Sequence, residues 1–194
     1  MIAGLVLMGG RASRLGGGDK ALIEIAGKRV LDRLLERFSP QVSPLALSAN
    51  GDLTRFAAYG LPVLPDPEHA PEGPLGGLFA GLDWAATLPG VTHLATVPGD
   101  APFPPEDLVD RLRAAAGDGA AAAHGPRGVE PLHALWPLAA LSRITALAAD
   151  GVRSPKRMLE RLGAAAAAFD DPAAFLDLDT PEDVERAKAL LKGT

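Results

Sequence analysis

The residues best able to do chemistry sit in one stretch, LMGGRASRLGGGDK, Leu7–Lys20, which places five glycines, two arginines and a lysine behind an apolar run. Glycine lets backbone N–H groups close on an anion, and Arg11, Arg14 and Lys20 bring neutralising charge. Several cations on one such loop suit a polyphosphate better than a single phosphate. Neither standard fingerprint accounts for it. A P-loop needs Gly-x4-Gly-Lys-Ser/Thr, whereas Lys20 lies between Asp19 and Ala21. Gly16-x-Gly18-x-x-Ala21 fits the loosest dinucleotide pattern but begins well past the end of the apolar run.

A second chemical residue is Asp100, which closes VPGD behind the run Thr92–Val97. A carboxylate at a strand end can hold Mg²⁺, which takes few protein ligands and shares its shell with phosphate and water. It can equally be a turn former before Pro102. Asp66 follows Leu61–Leu64 in the same way, with a turn as its simplest role. His69, His93, His124 and His133 are scattered and read as structural. The absence of cysteine excludes disulfides, thiol nucleophiles, thiolate zinc sites and iron–sulfur clusters.

These residues need elements to position them. Ile2–Met8 reads as a buried strand stopped by Gly9–Gly10, and Pro44–Ser48, Leu61–Leu64 and Thr92–Val97 read as further strands. Val30, Leu31, Leu34, Leu35 and Phe38 recur at helical spacing. Leu75–Leu88, Pro105–Gly117, Leu138–Ala149 and Pro155–Leu162 also read as helices, the last with Ser154 as N-cap. Ala120–Ala123, Leu132–Trp136, Ala165–Phe169 and Phe175–Leu178 are strand candidates. TPEDVERAKALL closes the chain as a helix, with Thr180 as N-cap, Pro181 in the first turn and Asp183 completing a capping box.

The alternation predicts an α/β fold of one domain, a Rossmann-like three-layer arrangement with a mostly parallel sheet and helices on both faces. Ligands of such folds bind at the carboxyl ends of the strands. The loops there read GGRASRLGGGDK, ANGD, PDPEHAPEGPLGG and PGDAPF. Residues 1–103 would then mainly bind nucleotide and 104–194 mainly an acceptor.

Net charge is −5 over 194 residues, which argues against a nucleic-acid partner. Residues 1–38 nevertheless carry seven basic and four acidic side chains, which suggests a local anion site. Lys28, Arg29, Arg33 and Arg37 also fit a solvated helix face. The apolar run at the start is too short to span a bilayer and lacks the flanks of a signal peptide, so no membrane role and a cytoplasmic location are expected.

At this point the motifs resemble a family. LMGGRASRLGGGDKAL is similar to the Gly-rich signature of molybdenum cofactor guanylyltransferases, within the wider nucleotidylyltransferase fold. The resemblance continues through Ser48–Asn50, Leu64–Asp66, GPLGGLFAGL, VPGDAPF, EPLHALW and DLDTPEDV. It implies transfer of GMP from GTP to the phosphate of the molybdopterin cofactor, with release of pyrophosphate. Leu7, Met8, Gly9 and Gly10 would frame the nucleotide through backbone groups. Arg14 and Lys20 would hold phosphates, Ser48, Asn50 and Asp66 would meet guanosine, and Asp100 would bind Mg²⁺. Lys20, Asp100 and Arg14 are thus the implied catalytic residues. The region after Glu130, with Arg153, Lys156 and Asp179, would face the pterin. Asp177 and Asp179 stand where relatives often carry asparagine. Proteins that mature molybdoenzymes are the implied partners. The same loops would also serve cytidylyl transfer to molybdopterin, sugar-phosphate nucleotidylyl transfer, or a nucleotide-binding protein without turnover.

Overall fold

In the central strand β1 (Ile2–Leu7), Ala3, Leu5 and Leu7 point to one side and Val6 to the other, and all are buried. That alternation requires a cover on both faces. The computed structural model, which describes residues 1–8, 19–71 and 75–192, supplies both covers. After β1 come two short strands, β2 (Glu24–Ile25) and β3 (Lys28–Arg29), which pair only with each other. Then follow α1 (Val30–Phe38), β4 (Leu45–Ser48), β5 (Val63–Leu64), α2 (Gly76–Ala86), β6 (His93–Pro98) and α3 (Leu108–Ala116). The second half contains β7 (Ala121–Gly125), β8 (Gly128–Pro137), α4 (Leu141–Ala149), α5 (Pro155–Leu162), β9 (Ala165–Ala168) and α6 (Pro181–Lys192).

Seven strands form one sheet in the order β5-β4-β1-β6-β8-β7-β9. β4 and β6 flank β1 in parallel, so the chain runs outward on one side of β1 and then returns to the other. Strand order reverses there, and a crevice opens at the carboxyl ends. β8 is antiparallel to both β6 and β7, and the remaining pairs are parallel, so the sheet is mostly parallel as expected. One face packs on Leu31, Leu34 and Phe38 of α1 and Leu108, Val109 and Leu112 of α3. The other packs on α2, α4 and α5 through Leu78, Phe79, Leu82, Ile144, Leu147, Met158 and Leu159. A smaller cluster joins Ile25, Val30, Phe103, Leu176, Leu178 and Ala187 of α6, and so carries the C-terminal segment to the end of β6.

The expected Phe175–Leu178 strand is not one. Its apolar residues are buried but join no ladder: Phe175 packs into the core beside α1 and α3, and Leu176 and Leu178 fill the small cluster. Ala21–Ile25 divides between a 3-10 turn at Lys20–Leu22 and β2. The helix expected from Pro105 begins at Leu108. A 3-10 helix at Leu53–Tyr59, which the periodicity does not announce, is held by the buried ring of Phe56. The capping box at α6 forms: Asp183 N–H donates to Thr180 Oγ1 (3.2 Å), and Thr180 N–H donates to Asp183 Oδ2 (3.0 Å). Of the basic residues on the early helix face, Arg33 donates to Ile25 C=O at 2.6 Å and Lys28 pairs with Glu36.

One buried polar contact ties the parallel and antiparallel halves. Thr96 in β6 is fully buried; its Oγ1 accepts from Trp136 Nε1 of β8 (3.0 Å) and donates to Leu132 C=O (2.8 Å). Thr96→Val keeps the shape but strands the indole N–H. We expect a loss of about 1–3 kcal/mol in urea unfolding. A loss indistinguishable from zero would show that the contact does not contribute.

Candidate active site

Register lines up the ends of four strands. Leu64 pairs with Ser48, Ser48 with Leu7, and Leu7 with Pro98. Beyond that row the chain is still stitched: Ala49 N–H donates to Leu64 C=O (3.0 Å), Met8 N–H to Ser48 C=O (2.9 Å), and Gly99 N–H to Leu7 C=O (2.9 Å). Residues just past the row therefore lie along one rim, with Asp66 and Asn50 at one end, Met8 in the middle and Asp100 at the other. Gly99 leaves room for the Met8 side chain, whose Sδ would stand 2.8 Å from a Cβ there.

At the Asp100 end, Lys20 Nζ donates to Asp100 Oδ2 at 3.1 Å and also binds the Asp179 carboxylate. The Lys20 and Asp100 side chains are only 13% and 14% exposed, so the pair is largely shielded from water. Leu178 N–H donates to Asp100 C=O (3.1 Å), which docks the segment Asp177–Asp179 on the end of β6. Glu130 of β8 adds another carboxylate, with Arg127 Nη2 at 4.0 Å. Arg127 also donates to Phe175 C=O at 2.5 Å.

The charges do not balance. Burial alone would lower the Lys20 pKa, but hydrogen bonds to Asp179 and Asp100 outweigh it and hold the ammonium above its ordinary range. Burial pushes the Asp100 carboxyl up, and Lys20 only partly offsets that. The two shifts are compatible because burial dominates at Asp100, while Asp179, which stabilises the ammonium, adds a smaller opposition to ionisation of Asp100. Asp177 is affected most: burial, with the charges of Asp100, Glu130 and Asp179, raises it from 3.8 to about 7. Burial raises Glu130 as well. Among the described residues the site is rich in carboxylate and short of cation. Among the described residues no cluster of three or more metal-binding side chains is ready-made. The donor set instead fits a hard divalent ion that takes one or two carboxylates and completes its shell with phosphate and water.

At the opposite end Asp66 N–H donates to Asn50 Oδ1 at 2.9 Å, which places two exposed polar side chains side by side. The Asp66 carboxylate lies against the start of α2, where a Cβ at Gly76 would stand 2.1 Å from Oδ2. Ser48 is placed differently. It is 4% exposed, and a Cβ at Gly77 would stand 2.3 Å from its Oγ, so it lies beneath α2 rather than on the rim. Leu7 C=O and Met8 N–H are both engaged in the stitching above.

Gly9, Gly10, Arg11 and Arg14 lie outside the described residues, as do Gly73 and Pro74. Arg153 lines a cavity of about 430 Å³ with Ser154, Arg157 and Arg161, between α4 and α5, and bonds Val152 C=O at 3.2 Å. Lys156 borders a separate cleft beside Val129 and Leu159. Of the expected pterin-facing residues, Glu130 and Asp179 join the Lys20 cluster. Sequence reasoning did not single out Arg127, nor the link from Arg55 to Asp19. His133 is fully buried with its pKa lowered to about 3, and burial also lowers His93, so neither is a proton shuttle near neutrality.

Comparison with known proteins identifies the family and the fold. The MobA-like NTP transferase domain matches residues 4–169. A molybdenum cofactor guanylyltransferase of Cereibacter sphaeroides is 47% identical, over 97% of this chain and 96% of its own. Among solved structures, the molybdopterin-guanine dinucleotide biosynthesis protein A of Archaeoglobus fulgidus superposes with a TM-score of 0.75 at 20% identity, covering both chains fully. A Mycobacterium tuberculosis protein crystallised as a complex with manganese has a TM-score of 0.69 at 19% identity, covering 97% of this chain and 98% of its own.

The carboxylate excess has a pH consequence. Between about pH 4 and 7 folded Asp177 keeps a proton that the unfolded chain has released. Stability contributed by this group therefore falls as pH rises through that window. We expect metal-free Asp177→Asn to lose less stability than the parent between pH 5 and pH 8 in denaturant titrations. Asp100 and Glu130 shift the same way, so the slope should shrink rather than vanish. Parallel pH profiles for the two proteins would contradict the assignment.

Proposed function

The chain belongs to the MobA-like NTP transferase family, and from that premise we propose that it is a molybdenum cofactor guanylyltransferase. The reaction moves GMP from GTP to the terminal phosphate of the molybdopterin cofactor. An acceptor phosphate oxygen attacks the α-phosphorus, the bond from that phosphorus to the bridging oxygen breaks, and pyrophosphate leaves with its electron pair. The nucleophile is already anionic, so the chain need supply neither a nucleophile nor a strong base. That suits a protein with no cysteine and with His93 and His133 buried and held neutral.

The observation that carries the reading is the rim itself. An exposed carboxylate–amide pair, Asp66 and Asn50, stands at one end, and a carboxylate bridged by an ammonium, Asp100 and Lys20, stands at the other. A carboxylate accepts both adjacent donors of guanine, N1–H and the N2 amine, whereas cytosine offers one donor, the N4 amine, beside the acceptors N3 and O2. Asp66 therefore favours guanine over cytosine. Lys20, with Arg14 of the Gly-rich loop, neutralises the triphosphate and the leaving pyrophosphate. Asp100, with Asp179 beside it, would hold Mg²⁺, which supplies charge neutralisation at the phosphates. The carboxylate excess supports a divalent ion there, and the fold neighbour crystallised with manganese is consistent with one. Residues 1–103 would bind the nucleotide, and the later part of the chain would meet the pterin. The described residues include no helix long and apolar enough to cross a membrane.

Pyrophosphate release with GTP, Mg²⁺ and molybdopterin tests the reading. We expect Lys20→Ala and Asp100→Asn each to lower kcat/KM by about 10²-fold or more. Replacing GTP by CTP should abolish turnover in the parent, and Asp66→Asn should narrow that preference. Preferred use of CTP by the parent would replace guanylyl with cytidylyl transfer. Parent-like turnover by Lys20→Ala or Asp100→Asn would remove that residue from the chemistry.

A further inference from the structure

One side chain bonds to both halves of the rim without reaching either end's binding groups. Arg55 lies on the 3-10 helix Leu53–Tyr59, directly before the buried Phe56. Its Nε donates to Asp19 Oδ2 at 2.9 Å, in an ion pair whose side chains are 29% and 15% exposed. Its Nη2 donates to Asn50 C=O at 3.0 Å, and its Nη1 donates to Asp52 C=O. The guanidinium carbon stands 4.5 Å from the centroid of the Phe56 ring, which supports its plane from below. Asp52 is itself fixed, accepting from Thr54 N–H at 3.0 Å.

The partners of this fork matter more than their number. Asp19 directly precedes Lys20, whose 3-10 turn it starts: Leu22 N–H donates to Asp19 C=O at 3.0 Å. Asn50 is the residue whose side chain holds Asp66. Arg55 therefore joins the loop that carries the phosphate-side cation to the loop that carries the base-side pair. It leaves Lys20 Nζ and both base-side side chains alone. A lysine could keep the ion pair with Asp19, but a single ammonium cannot match the planar fork that also serves two carbonyls.

We propose that Arg55 is a positioning residue that sets the spacing between the triphosphate-binding and base-reading parts of the nucleotide site. This rests on the reading of the rim as a GTP site. The physical reason is the gain from binding two linked groups at once. Each end of GTP binds weakly alone, and their joining adds affinity only when the protein presents the two subsites at the separation that the nucleotide spans. Loosening that separation weakens the whole nucleotide and spares its fragments. A residue that touched phosphate itself would instead weaken tripolyphosphate and GTP together.

Calorimetric titration of the purified protein with Mg²⁺–GTP, Mg²⁺–tripolyphosphate and guanosine tests this without the labile acceptor. We expect Arg55→Lys and Asp19→Asn each to raise the GTP Kd about tenfold or more, the scale of losing a charge-assisted hydrogen bond. Tripolyphosphate and guanosine should stay within about threefold of the parent. The double variant should bind GTP no more weakly than Arg55→Lys alone, because both break one connection. Asp19→Asn keeps the carbonyl contacts of Arg55, so it carries the test if Arg55→Lys proves unstable. Equal weakening of tripolyphosphate and GTP would overturn the proposal, as would unchanged GTP binding in Asp19→Asn. A parent protein that binds tripolyphosphate but shows no preference for GTP over it would instead defeat the GTP reading.

Discussion

Everything at the carboxyl edge of this sheet depends on one ammonium held between two carboxylates. Lys20 reaches Asp100, 80 residues away, and Asp179, 159 residues away. The contact closes the loop after β1, the turn after β6 and the segment before α6 around one point. It does so where, among the described residues, acid exceeds base, because the charges of Asp100, Glu130 and Asp179 all act on the buried Asp177. A pocket of that composition is not at rest electrostatically. It suits added positive charge, and under the proposed function a triphosphate arriving with a divalent ion would bring metal to the carboxylates and phosphate to the lysine. Under that reading the imbalance would become complementarity in the complex.

Packing is what makes such an imbalance tolerable. The segment around Leu176 and Leu178 buries apolar side chains against Ile25, Val30 and Phe103, and the α6 capping box fixes its far end. Those apolar contacts hold Asp177 and Asp179 beside Asp100 against their mutual repulsion. The base-side end is built more simply. Asn50 and Asp66 are exposed and lock one another, and the bare backbone of Gly76 lets the carboxylate settle at the start of α2. Sheet register fixes where the strands end, and beyond that point Arg55 ties the loop of Asp19 to the loop of Asn50.

Much of this was legible in the chain. β1, β4, β5 and β6 announce themselves by apolar runs closed with glycine, proline or asparagine, and the loops behind them hold Lys20, Asn50, Asp66 and Asp100. The misreadings have physical causes. Phe175–Leu178 has the apolar content of a strand, but its burial comes from docking on the β6 turn, and one apolar run does not reveal which surface will cover it. The antiparallel course of β8 had a signal in the two residues, Pro126 and Arg127, that separate it from β7, too short for a parallel crossover. Ser48 sits at the right place in sequence yet under α2 in space, because Gly77 lets the helix close over it. The near-neutral titration of Asp177 could not be read at all, since it arises from burial among acids that the fold alone assembles. Arg55 carries no motif, and its partners are backbone carbonyls and an aspartate far along the chain.

A crystal structure with Mg²⁺ and a non-hydrolysable GTP analogue would test the account most directly. The account predicts metal density against Asp100, the Lys20 ammonium drawn from its carboxylates toward phosphate oxygen, and guanine seated at Asn50 and Asp66. A nucleotide bound away from this rim, with Lys20 still bridging Asp100 and Asp179, would contradict it.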